Sequence, residues 1–229
     1  APQAFIDHYM GVYEAGPQAL REQRHAKAIA LGIVPANSPM VTMATTADWQ
    51  AMSAEKKRYE AKRMAVYAAM VEAMDYHIGR LIAYLEETDQ YKKTIFIFAS
   101  DNGSEASGLA NQNTSLNQRV LRAQNYNVDY ATLGLKGSFN AISPSFASAS
   151  ASPLAYYKFY VGEGGMRVPL IIAGDSIPLK NELSNAFSFV TDITPTILAL
   201  TQTTKPAERY GGRKVEAIMG RNLLPLLNG

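Results

Sequence analysis

The feature that most constrains this chain is a long helical pattern that leads directly into a short apolar run. After Ser53, apolar side chains recur every three or four residues and predict one long helix with a core-facing stripe, formed by Met64, Tyr67, Val71, Met74, Ile78, Leu81 and Leu85. The run from Thr94 to Ala99 is β-branched and aromatic, which predicts a fully buried strand. A helix that feeds a buried strand is typical of α/β proteins. We therefore expect an α/β fold with a mostly parallel sheet flanked by helices, and a second buried strand from Arg167 to Gly174.

Two polar side chains follow the first predicted strand at the point where its apolar run stops. Asp101 and Asn102 stand in the stretch Ser-Asp-Asn-Gly. One interpretation is a plain turn, because Asp, Asn and Gly are common turn residues. The other is a cation site, because ligands of open α/β sheets gather outside the carboxyl ends of the strands. Oxygen donors alone would favour Ca²⁺ or Mg²⁺ over zinc.

A second candidate stretch, "YYKFYVGEGGMRVPLII", precedes the other predicted strand. Lys158 places a cation in its loop, and Gly164 and Gly165 allow a close backbone approach. On composition alone, a solvated lysine before a glycine-rich turn is the better explanation of this stretch. The segment from Ser104 to Tyr160 between the two motifs is predicted to be irregular, with "SPSFASASASP" as a flexible linker.

Composition excludes several classes of protein and site. The formal net charge of +2 implies no broad basic face for nucleic acid. The sequence has no run of 18 apolar residues, so it predicts no membrane span. The chain has no cysteine, which excludes disulfides and thiolate metal ligands. It shows no signal peptide. Residues 1–46 are predicted to form a charged helical segment with a connector, and residues 47–229 an α/β core portion.

Five stretches together resemble the arylsulfatases, and the chain is identified by them as similar to a bacterial arylsulfatase. The helix-and-strand segment ending in Ser-Asp-Asn-Gly is similar to the segment that carries the same motif in that family. The stretch around Lys158 resembles the family's Y-K-x(4)-E-G-G-x-R-V-P segment, and "FVTDITPTILAL" and "MGRNLLPLLNG" resemble two later blocks. The charged opening, "HYMGVYEAGPQALREQRHAKAIALGIVPA", is similar to a segment of the bacterial enzymes. The order of the stretches is that of the family.

The resemblance implies an alkaline-phosphatase-like α/β fold and hydrolysis of small-molecule sulfate esters. It implies that Asp101 and Asn102 are ligands of the family's calcium, and that Lys158 binds the sulfate and leaving-group oxygens. A Lewis-acidic cation and an ammonium group both suit a reaction in which negative charge develops on oxygen. The resemblance also implies a periplasmic or secreted setting.

Other family features are missing from the 229 residues. The family's nucleophile is a formylglycine made from the Cys or Ser of C/S-x-P/A-x-R, and no residue here begins that pattern. We therefore expect the C-terminal part of a sulfatase catalytic domain, whose partner is the missing N-terminal half and which is inactive alone. Phe146 and Ala155 stand where the family usually has Trp and Arg. Two alternatives are a non-catalytic remnant or binding module, and a two-metal phosphatase, which generally has His in place of Asn102.

Overall fold

The computed structural model describes residues 1–41, 48–106, 115–204 and 209–228. The chain divides into two compact units. Unit 1 comprises Ala1–Leu85 and Phe98–Leu170, and unit 2 comprises Glu86–Ile97 and Ile171–Gly229. The predicted boundary at residue 46 falls outside the described residues.

Unit 1 is mainly helical. Its helices are α1 (Gln3–Tyr9), α2 (Gly16–Ala30), α3 (Ala54–Glu87, of which the last two residues belong to unit 2), α4 (Ser115–Ala123), α5 (Pro144–Ala151) and α6 (Glu163–Met166). The sequence pattern suggested one helical stretch before residue 31, whereas the structure has two helices. Gly11 and Gly16 separate them with φ of +87° and +91°, and a Cβ on Gly16 would lie 2.6 Å from the Trp49 ring. The chain turns here because only glycine fits.

The long helix α3 confirms the predicted element, but only part of its apolar stripe is buried. Met64 is 1% exposed, whereas Met74 and Leu81 are 42% and 49% exposed. Core packing is therefore correct for Met64 and wrong for Met74 and Leu81, whereas Tyr67 is half-buried and packs against the core cluster. The described residues contain no helix that is both long enough and apolar enough to cross a bilayer.

The stretch predicted as a flexible linker is instead a buried helix. Within α5, Phe146, Ala147 and Ala149 are at most 1% exposed, and Phe146 joins a core cluster with Met64, Ile142 and Tyr157. Helix α2 packs against α5. Its buried Arg21 donates from Nη1 to the carbonyl oxygen and the hydroxyl of Ser148, at 2.9 and 2.6 Å. The linker prediction is wrong because small Ala and Ser side chains also permit two helices to approach closely.

The two main strands pair with each other. They are β1 (Ile95–Ala99) and β2 (Leu170–Gly174). The Ser100 amide, just after β1, donates to the Pro169 carbonyl, just before β2, while Gly174 at the other end of β2 lies beside Thr94 and Ile95. The strands therefore run in opposite directions.

Both strands were predicted to be doubly buried, and this is wrong. The side chains of β1 are half-buried or exposed, and those of β2 are mostly exposed. A short antiparallel hairpin, β3 (Arg209–Tyr210) with β4 (Arg213–Lys214), forms the other sheet of the described chain. The mostly parallel sheet is therefore not seen in the described ranges and stays a prediction.

Unit 2 contains a buried polar anchor at the start of a helix. The chain passes through a 3₁₀ turn, Val190–Asp192, into α7 (Ile193–Leu200), with Asp192 directly before the helix and Pro195 in its first turn. The Asp192 carboxylate accepts the amides of Phe189 and Arg221 at 2.9 and 2.7 Å. A final short helix is α8 (Leu224–Leu227). Asp192 thus connects the start of α7 to the chain just before α8.

Candidate functional site

Two loops of unit 1 dock on each other and bring the two sequence motifs together. The amide of Gly103 donates to the Gly165 carbonyl at 3.0 Å, and the amide of Lys158 donates to the Ser104 carbonyl at 3.0 Å. A Cβ on Gly103 would lie 2.0 Å from the Gly164 carbonyl oxygen, so glycine is required at this contact. The loop after β1 is thus fixed against the loop that carries Lys158. The same docking explains the antiparallel strands, because it joins the end of β1 to the start of β2.

The side-chain oxygens of the two predicted metal ligands are open. The Asp101 carboxylate is exposed and makes no hydrogen bond or ion pair with the described residues. The Asn102 side chain donates from Nδ2 to the Gly103 carbonyl at 2.9 Å, which leaves its Oδ1 without a donor among those residues. A carboxylate and an amide oxygen left open in this way fit a hard cation such as Ca²⁺. They are only part of a ligand set, and no cluster of three or more acidic, His or Cys side chains occurs in the described part of the chain.

Lys158 forms an ion pair with Glu105, a residue that sequence reasoning missed. Its Nζ lies 2.7 Å from Oε2 of Glu105, and the two side chains are 32% and 37% exposed. The hydrogen bond to Glu105 raises the pKa of Lys158, and the charges of Glu105 and Asp101 raise it further against the effect of desolvation. Asp101 and Lys158 are therefore close enough to interact electrostatically. The one available signal for Glu105 was its place in the same loop as Asp101.

The backbone around Lys158 is held in an unusual conformation. Tyr156 and Phe159 have φ of +72° and +75°, a region that costs of order 1–3 kcal/mol for residues other than glycine. Ring contacts hold this loop, since Tyr160 packs on both Tyr156 and Tyr157 with centroids 5.1 Å apart. Such strained backbone persists only where the surrounding packing enforces it, and it clusters at ligand-binding and active sites.

The two departures from the sulfatase pattern have structural places in this chain. Phe146 packs edge-on against Tyr13 and Trp49 in the core of unit 1. The carbonyl of Ala155 accepts the Gly164 amide at 2.7 Å. Ala155 therefore contributes its backbone to the docked loops, while its side chain supplies no cation to the site.

Two grooves of unit 1 do not coincide with these loops. One groove of about 600 Å³ is lined by Lys56, Arg58, Tyr59 and Tyr130, among others. Another, of about 390 Å³, lies between the end of α2 and the stretch around Pro153. Neither is lined by Asp101, Asn102 or Lys158. The site is therefore identified by its chemistry and by the docking of its loops.

Comparisons with known proteins point to one family. Residues 5–203 match the family described as Sulfatase. An uncharacterized sulfatase of Schizosaccharomyces pombe is 34% identical over 224 residues, which cover 96% of this chain and 40% of that protein. An arylsulfatase of Klebsiella aerogenes is 33% identical, with 86% of this chain and 42% of the enzyme covered. Arylsulfatase K of Gallus gallus is 27% identical, with 76% and 22% covered. The chain thus spans about two fifths of the length of the first two relatives.

Proposed function

The chain belongs to the sulfatase family, and we propose that it supplies the cation-binding and leaving-group-binding residues of a sulfate-ester hydrolase. The family has the alkaline-phosphatase-like α/β fold. The observation that carries the proposal is the docking of the Asp101 loop on the Lys158 loop, through the contacts of Gly103 and Ser104. It leaves open oxygens and an ammonium group within electrostatic reach of each other.

In the proposed site, Asp101 and Asn102 would hold a divalent cation, Ca²⁺ or alternatively Mg²⁺, through their side-chain oxygens. When bound, that cation would supply Lewis acidity to a sulfuryl oxygen. Lys158 would donate to the leaving-group oxygen and stabilise the negative charge that develops there. The hydrogen bond to Glu105 raises the pKa of Lys158, which favours the protonated form that donates. Each of these side chains thus has a role that its contacts permit.

The remaining parts of the reaction lie outside what these residues supply. The chain contains no Cys and no Ser in the pattern that yields formylglycine, so we propose that the nucleophile and further cation ligands come from an N-terminal half of the same catalytic domain. That half would also complete a mostly parallel sheet. The natural substrate would be a small-molecule sulfate ester. Bacterial origin and a periplasmic or secreted setting stay predictions.

Turnover of a chromogenic aryl sulfate tests the proposal. The protein for the assay joins this chain to the nucleophile-bearing part of a sulfatase, and the matching aryl phosphate is run beside it. We expect hydrolysis of the sulfate ester, and Lys158→Met should lower kcat/KM by about 100- to 1,000-fold, the usual loss when one donor to a developing oxyanion is removed. Lys136→Met is the matched control, because Lys136 is an exposed lysine in a different turn of unit 1.

Three results would overturn the proposed function. Equal turnover in the Lys158→Met and Lys136→Met variants would show that Lys158 has no role in the reaction. A preference for the aryl phosphate would instead favour a phosphatase, and absence of any turnover would favour a binding module.

A further inference from the structure

The ion pair between Glu105 and Lys158 joins the two docked loops through their side chains. The residues lie 53 positions apart (158 − 105), and their N–O distance of 2.7 Å is that of a charge-assisted hydrogen bond. The other ion pair near this loop, Arg167 with Glu163, is 3.5 Å long, local to one helical turn, and more exposed at 55% and 62%. The contact of Glu105 is therefore the one that depends on the docking of the loops.

We propose that Glu105 is a positioning residue, which holds the ammonium of Lys158 in the direction of the leaving-group oxygen. This inference rests on the proposed function of Lys158.

The backbone contacts fix the main-chain position of Lys158 but not the direction of its ammonium group. The hydrogen bond from the Lys158 amide to the Ser104 carbonyl sets the position of the Lys158 main chain. Glu105 is the residue that follows Ser104 in the facing loop. The flexible four-carbon stem of lysine still allows many directions for the ammonium. The Glu105 carboxylate at Nζ and the Phe159 ring, whose centroid lies 5.2 Å from Nζ, restrict that freedom. Glu105 is thus the polar partner that selects the direction.

The hydrogen-bonding capacity of lysine leaves room for a substrate. An ammonium group has three donors, and Glu105 takes one of them in this structure. The other two can meet oxygens of a sulfate ester. A carboxylate this close also repels an anionic substrate, so Glu105 is unsuited to increase substrate affinity. Its benefit must therefore appear in the rate, through orientation of the donor in the transition state.

The ion pair can be tested on the 229-residue chain itself. Lysines are labelled by reductive ¹³C-methylation, the Lys158 resonance is assigned with Lys158→Arg, and its pKa is measured by NMR titration. Glu105→Gln should lower the pKa of Lys158, because it removes the negative charge next to the ammonium. The charge of Asp101 remains and keeps part of the rise in pKa. Glu163→Gln, which removes the ion pair with Arg167, is the matched control and should leave the Lys158 resonance in place. An unchanged Lys158 titration in Glu105→Gln would overturn the inference.

The positioning role is tested by kinetics on the catalytically complete protein, which joins this chain to the nucleophile-bearing part of a sulfatase. Glu105→Ala should lower kcat by about 10- to 100-fold, as expected for a misplaced catalytic group, without raising KM for the aryl sulfate. Glu105→Gln keeps an acceptor oxygen and should recover part of kcat. In the Lys158→Met background, Glu105→Ala should have no further effect, because both residues act through one group.

The outcomes separate this inference from the proposed function. If Lys158→Met abolishes turnover while Glu105→Ala leaves kcat unchanged, or if the two losses add, the positioning role is wrong and the function stands. If Glu105→Ala raises KM and lowers kcat together, the loss is a disrupted site and the positioning role is again wrong. If Lys158→Met leaves turnover intact, the proposed function itself fails.

Discussion

Single carboxylates have opposite structural roles in this chain. Asp101 is exposed, without a hydrogen bond or ion pair among the described residues, which suits a ligand. Asp192 is 2% exposed and is satisfied by two backbone amides. Asp101 follows an apolar run and Asp192 precedes a helix, so the sequence pattern places both at the ends of secondary-structure elements. Only the contacts separate an open side chain from a structural anchor.

The Asp192 anchor predicts a specific acid sensitivity. Hydrogen bonds from the Phe189 and Arg221 amides hold its pKa below the ordinary value of 3.8. A pKa that is lower in the folded state means that the unfolded state binds more protons, so the stabilisation is complete above the unfolded value. It is lost as the pH falls through the folded value.

Thermal unfolding of the wild-type chain from about pH 5 to about pH 2 measures this loss. Asp192→Asn should lower the midpoint at pH 5 and should show a smaller further decrease in acid than wild type. Asp175→Asn, which changes an exposed aspartate of the same unit, should follow the wild-type curve. Parallel acid curves for wild type and Asp192→Asn would show that the anchor does not have the assigned role.

At the scale of elements, α5 shows what the sequence could and could not predict. The long helix α3 and the positions of β1 and β2 followed from periodicity and from β-branched residues. The α5 segment did not, because its Ala and Ser residues match a linker as well as a closely packed helix. Its identity depends on α2, whose Arg21 bonds Ser148 across 127 positions of sequence. The same limit hid Glu105, whose partner lies in another loop.

A core role for α5 predicts a large loss of stability on truncation of its aromatic residue. Phe146→Ala removes a 1% exposed ring that packs against Tyr13 and Trp49. It should lower the free energy of unfolding by about 3–5 kcal/mol, measured by denaturant titration. Phe187→Ala is the matched control, because Phe187 is 72% exposed, and it should cost less than about 1 kcal/mol. Equal losses would mean that α5 is not a core element.

At the scale of the whole molecule, the loops that carry the two motifs meet, whereas the sheet differs from the predicted one. The docked loops of Gly103 and Gly165 bring the two motifs together, while the assignment of Asp101, Asn102 and Lys158 to a site stays a prediction. The apolar character of β1 and β2 suggested burial on both faces, yet much of their surface is exposed in this chain. Strand direction could not be read from apolar runs, because it depends on how the loops at the strand ends pack.

The central claim is that this chain provides cation ligands to a sulfatase site, and the Ca²⁺ dependence of aryl sulfate turnover tests it most directly. In the catalytically complete protein, Asp101→Asn should lower kcat/KM by about 100-fold or more and raise the Ca²⁺ concentration that gives half-maximal turnover, since it removes one anionic ligand. Asp75→Asn changes an exposed aspartate of α3 and should alter neither quantity. The 229-residue chain assayed alone with excess Ca²⁺ should show no turnover. Asp101→Asn activity and Ca²⁺ dependence equal to those of Asp75→Asn would contradict the claim.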